Sequence, residues 1–430
     1  MAFLASLYGH AYGVDGVRHR LVTAASRPVT EAWGGWGPEV RDNPFPVLDQ
    51  LRREAPVCPV RLADGHEAWL VLGHTAAQQA LQDPRLSKDL VAALDSDPDT
   101  VDEGLPGRAF ARHMLNVDGP DHIRLKGLVS FAFRPSRVRG MAPRIETLAD
   151  VLLDAIDPDT TVDLVAAYLR PLPFQVIGEL LGIPEADRSQ LHDWFALLLS
   201  PRTGLPAPEV IAASDGIVGY LTALVDRATS APGDDLVGDL VRASEDGDVL
   251  TRQELLSTLF QLVVAGHDTT TSLLGNAVVA LLDQPSAWQA LVADPSLMPH
   301  AVEELIRFTA PVPHATFRYA TEDVALDGVT VPAGKQVLVC LAAANRDPAL
   351  TDSPERLDLG REERRHLGFG YGPHFCLGAA LARLEATIAL TRLLERFPAL
   401  TLATDRANLA WSHGDGLVLR GLAALPVRLS

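Results

Sequence analysis

The strongest constraint on this chain is a glycine-rich segment that contains a single cysteine and runs directly into a helical pattern. Residues 369–378 read FGYGPHFCLG, and apolar residues at helical spacing continue from Ala379 to Arg396. The thiol of Cys376 therefore lies at a helix N-terminus. There the helix dipole and free backbone N–H groups stabilise a thiolate, and the glycines let backbone amides approach the sulfur.

Several kinds of site could use such a segment. Glycines 368, 370 and 372 suggest a phosphate-binding loop, but Pro373 and Phe375 occupy the third position of each G-x-G-x-x-G frame. A structural zinc site needs four Cys or His ligands, whereas only His366 and His374 accompany the cysteine. A Cys–His nucleophile stays open. The apolar, glycine-rich context favours a thiolate that serves as axial ligand to iron in a macrocycle.

A second unusual segment interrupts a helical pattern that runs from about Arg252 to Leu282, roughly 45 Å at 1.5 Å per residue. Residues 265–271 read AGHDTTT, and after the alanine each is a poor or indifferent helix former. Threonine hydroxyls that bond back to the preceding turn also bend helices. We therefore predict a local opening that makes room for a ligand. The alternative is a small-residue crossing of two packed helices.

Composition and charge exclude other classes of protein. The 430 residues are 47% hydrophobic, and no linker or repeat divides them, so we expect one domain over residues 1–430 with 1–40 as an irregular N-terminal extension. A net charge of −18 argues against nucleic acid and anionic membranes as partners. No apolar run approaches the roughly 20 residues of a membrane span. Three widely spaced cysteines and the lack of a secretory signal pattern predict a cytoplasmic protein.

The periodicity predicts a fold that is mainly α with a small β portion (α+β). Helical spacing dominates from Arg144 onward. Strand signals occur at 68–72, 329–331 and 337–341, and Asp327-Gly328 is a hairpin-turn pair.

The cysteine segment resembles the signature of the cytochrome P-450 family in its Phe, both glycines, His, Cys and following Gly. Other family segments follow in order between about Asn43 and Pro426. The resemblance implies the P-450 fold, with haem b buried between the long central helix and the cysteine-loop helix. It implies a haem-thiolate monooxygenase that uses O2 and external electrons to hydroxylate or epoxidise a mostly apolar small molecule. Alternatives are an oxidative-coupling or peroxide-using P-450, or a non-catalytic haem-binding recruitment or sensor protein.

The same resemblance assigns roles within the two segments. Cys376 becomes the axial ligand of the haem iron, with Thr269 donating a hydrogen bond to dioxygen and Asp268 relaying protons toward it. The remaining positions expected to surround the haem are Ala265, Gly266, Phe369, Gly370 and Gly378.

Partly buried haem propionates need basic partners. The resemblance nominates His122, Lys126, Arg318 and His374 for them. Each taken singly could equally be a solvated surface residue. Lys126 stands where Arg is commoner, so it keeps the charge but loses the bidentate fork.

A folding role is implied for a cluster of charged residues. Glu304 and Arg307 have the three-residue spacing that puts both on one helical face. Most such pairs are solvated and contribute little. The later segment 354–357, PERL, resembles the family segment whose arginine, here Arg356, completes a Glu–Arg–Arg cluster.

The residues that line the substrate pocket are expected to be mainly small or aliphatic, which suits an apolar substrate. We expect a natural product such as a macrolide or other polyketide, a terpenoid or a peptide, and a role in antibiotic biosynthesis or other secondary metabolism. Its lining by resemblance includes the loop 87–112 together with Leu262, Val263, Val312, Ala315, Thr316 and Leu417.

Electrons are expected from a ferredoxin or flavodoxin with an NAD(P)H-dependent reductase, because no flavin or nicotinamide module is recognised in the sequence. A basic docking face for such an acidic partner could be formed by two groups of arginines. These are Arg361, Arg364 and Arg365, and Arg134, Arg137 and Arg139.

Overall fold

A single 31-residue helix, Arg252–Leu282, runs through the helical core of the protein. Its N-terminus is closed by a capping box in which Thr251 and Glu254 satisfy each other's backbone N–H groups. The computed structural model describes residues 43–62, 67–89, 112–199, 207–245, 250–362, 365–412 and 419–429. The proposed N-terminal extension, nearly all of the loop 87–112, Arg364 and Leu417 lie outside these ranges.

Helices make up most of the described chain. In chain order they are α1 (Phe45–Glu54), α2 (His74–Gln82), α3 (Gly119–Ser130), α4 (Pro135–Gly140), α5 (Ala142–Asp154), α6 (Pro171–Leu181), α7 (Glu185–Leu199), α8 (Pro208–Ser230), α9 (Leu236–Glu245), α10 (Arg252–Leu282), α11 (Pro285–Ala293), α12 (Met298–Thr309), α13 (Leu341–Ala344) and α14 (Ala379–Arg396). The predicted bounds of α10 and α14 are confirmed.

The strands are short. They are β1 (Val57–Arg61), β2 (Glu67–Val71), β3 (Leu86–Ser87), β4 (Val162–Asp163), β5 (Arg318–Ala320), β6 (Val324–Leu326), β7 (Val329–Val331), β8 (Gln336–Val339), β9 (Thr401–Leu402), β10 (Trp411–Ser412), β11 (Gly421–Leu422) and β12 (Pro426–Arg428). The largest sheet has the order β1-β2-β8-β5-β3. Its β2 and β8 are parallel with Ala68 opposite Gln336, and its other pairs are antiparallel.

The hairpin-turn prediction is confirmed between β6 and β7. Asp327 and Gly328 have φ values of 46° and 77°, the left-handed conformations that a two-residue turn between antiparallel strands requires.

The largest core cluster lies among the helices, with α10 packed against α6, α12 and α14. Two smaller clusters cover the faces of the five-stranded sheet. This arrangement confirms the mainly α fold with a small β portion. Within the described chain, α8 alone is long and apolar enough to cross a bilayer, which is weak evidence for a span because its Ile217 and Leu221 are buried against neighbouring helices.

Candidate active site

The cysteine loop is shaped by left-handed glycines and by close contact with α2. Gly370 and Gly372 have φ values of 74° and 73°, and a Cβ at position 372 would lie 3.0 Å from the carbonyl oxygen of Leu81. The N–H of Cys376 donates to the carbonyl of Phe369 at 2.9 Å. The loop thus holds Cys376 three residues before Ala379, the first residue of α14.

Two basic side chains hold this loop from outside. Lys126 Nζ donates to the carbonyls of Pro373 and Phe375, the latter at 3.1 Å. Arg383 on α14 lies over the ring of Phe369 at 4.4 Å and pairs with Glu303 of α12 at 2.6 Å. Lys126 therefore contacts the loop backbone. Its contact with a haem propionate stays a prediction.

The loop does not by itself make Cys376 a thiolate. Desolvation by surrounding protein raises the pKa of the Cys376 thiol, and the Gly378 N–H and the charges of Lys126 and Arg383 offset this only in part. The Gly378 N–H acts on this pKa in the direction that the sequence predicted for the local backbone, but in the protein alone burial outweighs it. A cation bound to the sulfur is needed to stabilise the thiolate. Among the residues described, no group of three His, Cys, Asp or Glu side chains could hold a zinc ion.

Apart from its two ends, the long helix exposes residues only in its middle. Positions 254–264 and 270–281 of α10 are buried, whereas Ala265 is exposed and Gly266, Asp268 and Thr269 are partly accessible. A helix buried along both flanks exposes its centre only where the core contains an opening. The accessible Ala265 and Thr269 mark this opening, and Cys376 also keeps accessible surface.

The helix stays continuous through this opening. Residues 252–282 form one α-helix, and the hydroxyls of Thr269 and Thr270 donate to the carbonyls of Ala265 and Gly266 at 2.8 and 3.2 Å. The back-bonds are therefore accommodated within a continuous helix.

Gly266 serves the packing of two helices. A Cβ at this position would lie 3.0 Å from Cδ1 of Ile177 on α6. A side chain at position 266 would need Ile177 to shift, so Gly266 lets α10 and α6 pack closely, as the small-residue alternative predicts. That Gly266 also borders the haem stays a prediction. Ala265 is the small residue at the opening.

A buried basic cluster joins the cysteine loop to α3 and β5. The rings of His122 and His374 have centroids 4.2 Å apart, and His374 Nε2 lies 2.9 Å from Asp118 Oδ1. Arg318 is buried, and its Nε has no hydrogen-bond partner among the described atoms. The structure adds Lys88, a fully enclosed ammonium that donates to Thr316. Sequence analysis missed it because it lies at the start of a predicted loop.

This cluster fits an anionic group. Burial lowers the pKa of Arg318 to about 10 and that of His374 to about 3, and it lowers the pKa of Lys88 well below its usual range. Asp118 is the one carboxylate that contacts the cluster among the described residues. These lowered pKa values mean that too little negative charge faces the basic groups to keep all of them protonated, and the Arg318 cation has an unpartnered N–H. Carboxylates of a macrocycle would supply the missing negative charge.

The structure corrects the third member of the charged cluster. Arg307 Nε lies 2.7 Å from Glu304 Oε2 and Arg361 Nε lies 3.2 Å from the same oxygen, with all three side chains buried. Arg356 contributes its carbonyl, which accepts from Arg307, while its side chain is exposed. Arg361 is therefore the second arginine of the cluster, so it cannot belong to a docking face.

The predicted pocket residues fall into two groups. Leu262 and Val263 are buried in the main core, whereas Val312, Ala315 and Thr316 are partly accessible.

A thiol on a glycine-rich loop, a basic cluster beside it and a central helix that opens at a threonine define a haem-thiolate protein. Comparison with known proteins agrees. The family described as Cytochrome P450 matches residues 226–419. Cytochrome P450 107B1 of Saccharopolyspora erythraea is 44% identical over 87% of this chain and 93% of its own length.

Two further relatives indicate which kind of cytochrome P450 this chain resembles, because both are named as monooxygenases or hydroxylases. The mycinamicin IV hydroxylase/epoxidase of Micromonospora griseorubida is 40% identical over 88% of this chain and 94% of its own. The structure of the tirandamycin C-bound P450 monooxygenase TamI is 39% identical, covers 92% of this chain and 99% of its own, and has a TM-score of 0.83. The chain belongs to the cytochrome P450 family and is a P450 monooxygenase.

Proposed function

We propose that this monooxygenase hydroxylates or epoxidises a mostly apolar natural product of the macrolide or polyketide type, using O2 and electrons from a separate protein. The observation that carries the proposal is the accessible Asp268-Thr269 pair in the middle of an otherwise buried helix. The names of the mycinamicin IV hydroxylase/epoxidase and of the tirandamycin C-bound TamI support the substrate class. A role in antibiotic biosynthesis or other secondary metabolism follows from that class.

The cofactor we propose is haem b. When bound, it supplies the reductive activation of O2. Cys376 would hold its iron through the sulfur, and Arg318, His122, His374 and Lys88 would hold its propionates. Phe369, Gly370 and Gly378 would surround the sulfur side, while Lys126 and Arg383 hold the loop.

Asp268 and Thr269 would move protons at the opening. O2 reduction consumes protons in a site that must otherwise exclude water, so a carboxylate and a hydroxyl have to deliver them. The Thr269 hydroxyl donates to Ala265 at 2.8 Å, which leaves its oxygen free to accept a hydrogen bond. To relay a proton from Asp268, the hydroxyl would give its own hydrogen to the reacting site as it takes the new one. This pair favours the use of O2 over a dedicated use of peroxide.

Thr269→Ala is expected to uncouple electron consumption from product formation, with at least about a tenfold fall in product per O2 consumed, because a positioned proton donor is worth ~10²–10⁴-fold. The matched control is Thr270→Ala, since Thr270 makes the same back-bond but is buried. Peroxide release and product are measured together. Normal coupling in Thr269→Ala would refute the role given to this hydroxyl.

Arg318→Met is expected to speed haem loss by about 10–100-fold, the equivalent of the ~1.5–3 kcal/mol of a charged hydrogen bond. The apoprotein should be as stable as wild type or more stable, because the substitution removes a buried cation without a full set of partners. Haem transfer to an acceptor globin and urea unfolding of the apoprotein measure the two effects. Arg85→Met, at an exposed pair with Asp83, is the control. Unchanged haem retention would contradict the propionate assignment.

The electron donor we propose is a ferredoxin or flavodoxin with an NAD(P)H-dependent reductase, in the cytoplasm. Arg134 and Arg139 are exposed and remain available for docking. Arg137 pairs with Asp239 at 2.5 Å, and Arg361 is committed to Glu304. Any docking face is therefore smaller than the sequence predicted.

The substrate class is tested by titrating the ferric enzyme with mycinamicin IV and with tirandamycin C, the compounds named for two relatives. Displacement of the water on the haem iron shifts the absorption spectrum, and turnover with a ferredoxin system is compared with turnover on peroxide alone. A spectral shift with either compound and product only in the reductase system support the proposal. Faster turnover on peroxide would favour a peroxide-using enzyme.

A further inference from the structure

His267 lies between Gly266 and Asp268 in α10 and contacts the Asp268 carboxylate. The proton relay proposed above does not use this contact. His267 Nε2 lies 3.1 Å from Asp268 Oδ1, and His267 Nδ1 lies 2.8 Å from the carbonyl oxygen of Val263. Only 3% of the His267 side chain is exposed, against 26% for Asp268. The imidazole is thus enclosed in the core, while its carboxylate partner reaches the opening beside Thr269.

These two contacts determine how many protons the pair holds. A backbone carbonyl can only accept, so Nδ1 of His267 carries a hydrogen. The contact between Nε2 and Asp268 then needs one more hydrogen, which is either on the imidazole or on the carboxyl. The pair therefore holds one proton that can lie on His267 or on Asp268.

Aromatic rings of α6 and α7 lie against the imidazole, and the partly exposed His192 of α7 lies nearby. Phe174 of α6 lies edge-on to the His267 ring with centroids 5.3 Å apart, and Phe195 of α7 lies 6.5 Å away. The charged and titratable groups that face the pair are Asp268 on its own helix, Arg170 at the start of α6 and His192 on α7. His192 is 6.5 Å from His267 between ring centroids and is itself beside the exposed Asp193.

The electrostatics agree with this geometry. Burial would lower the pKa of His267, but the charge and hydrogen bond of Asp268 and the Val263 carbonyl outweigh it, so that pKa is raised. Burial would raise the pKa of Asp268, but His267 outweighs it and the pKa is lowered. The resting pair is therefore an imidazolium and a carboxylate.

We propose that His267 is a positioning residue for proton delivery: it supplies its Nε2 proton to Asp268 and is recharged from solvent on the side of His192. This inference rests on the role proposed above for Asp268. The Nε2 proton of His267 moves to the Asp268 carboxylate, and Asp268 passes it to the Thr269 oxygen while the Thr269 hydroxyl gives its own hydrogen to the reacting site, so that Asp268 is a carboxylate again. His267 is left neutral with its Nδ1–H still on Val263, and uptake of one proton from solvent restores the pair. No electrons are transferred in these steps.

The pH dependence follows from the raised pKa of His267. Below that pKa, His267 carries the proton that it can give to Asp268. Above that pKa, His267 has lost this proton and cannot supply it. Product formed per O2 consumed should therefore fall as pH rises through a value above the ordinary histidine pKa of about 6.5.

The decisive variant is His267→Gln. Its side-chain amide can still donate a hydrogen bond to Asp268, but it cannot take up and release a proton. Product and peroxide are measured between about pH 6 and about pH 9, with whichever of mycinamicin IV and tirandamycin C the wild type oxidises. We expect coupling about tenfold below that of the wild type, less than the ~10²–10⁴-fold of a group that itself transfers a proton to the reacting atoms. The coupling of the variant should not change with pH, whereas that of the wild type falls as pH rises. His300→Gln, a histidine on α12 outside this site, is the control. An unchanged CO-bound spectrum and unfolding midpoint establish that the variant is folded.

A second measurement does not depend on turnover. In the reduced CO-bound holoenzyme, nitrogen-15 NMR of labelled histidines should show both ring nitrogens of His267 protonated at pH above about 6.5, and Asp268→Asn should lower its pKa. His267→Gln with wild-type coupling and pH profile, or a singly protonated His267 at that pH, overturns the inference. If Asp268→Asn is uncoupled while His267→Gln is normal, only this inference fails. If Asp268→Asn is itself fully coupled, the role of Asp268 fails with it.

Discussion

The Cys376→Ala variant is expected to lose the reduced, CO-bound absorption band for which the family is named, and with it monooxygenase activity. Without the sulfur, the loop presents backbone groups and the cations Lys126 and Arg383, none of which can ligate iron as a thiolate does. The loss should exceed the ~10–100-fold cost of removing a residue that merely supports a metal ligand. The CO difference spectrum and turnover are the two measurements.

The natural controls are the other thiols. Cys58 and Cys340 are buried, and burial raises the pKa of Cys58 to about 11 and that of Cys340 to about 12, so neither is a thiolate. Cys58→Ala should keep the band. A band of unaltered position in Cys376→Ala would end the case for a thiolate ligand at this position.

The Arg361→Ala variant is expected to lower the free energy of unfolding by about 3–5 kcal/mol, the cost of breaking a buried ion pair from one side. Glu304 would keep Arg307 but lose the contact at 3.2 Å, and the Thr351 hydroxyl and Asp352 carbonyl would lose the donor that now satisfies them. With total stabilities of ~5–15 kcal/mol, this loss should leave much of the protein unable to retain haem at growth temperature.

Arg356→Ala is the matched control, five residues away in the same segment. Its exposed side chain should cost no more than about 0.5 kcal/mol, because the carbonyl that accepts from Arg307 is unchanged. Urea unfolding of both variants decides between the two arginines. A larger loss in Arg356→Ala than in Arg361→Ala would restore the assignment made from sequence.

Local sequence patterns predicted those parts of the fold and the site that are determined by residues close together in the chain. The bounds of α10 and α14 follow from apolar spacing, and the turn at Asp327-Gly328 follows from the residues that tolerate left-handed backbone. Sequence patterns did not predict that Lys88 belongs to the buried basic cluster, because a lysine after a short strand is expected to be exposed. Its burial depends on other segments of the chain that pack over it.

The sequence alone determined the class of protein, because a thiol in a glycine-rich loop before a helix is specified within ten consecutive residues. Only the tertiary structure decided that Arg361 reaches Glu304, that Gly266 admits Ile177, and that Lys126 holds the loop. These are contacts between segments far apart in the chain or between side chains on irregular backbone. Their direction is set by how helices and loops pack, which residue type and spacing do not encode.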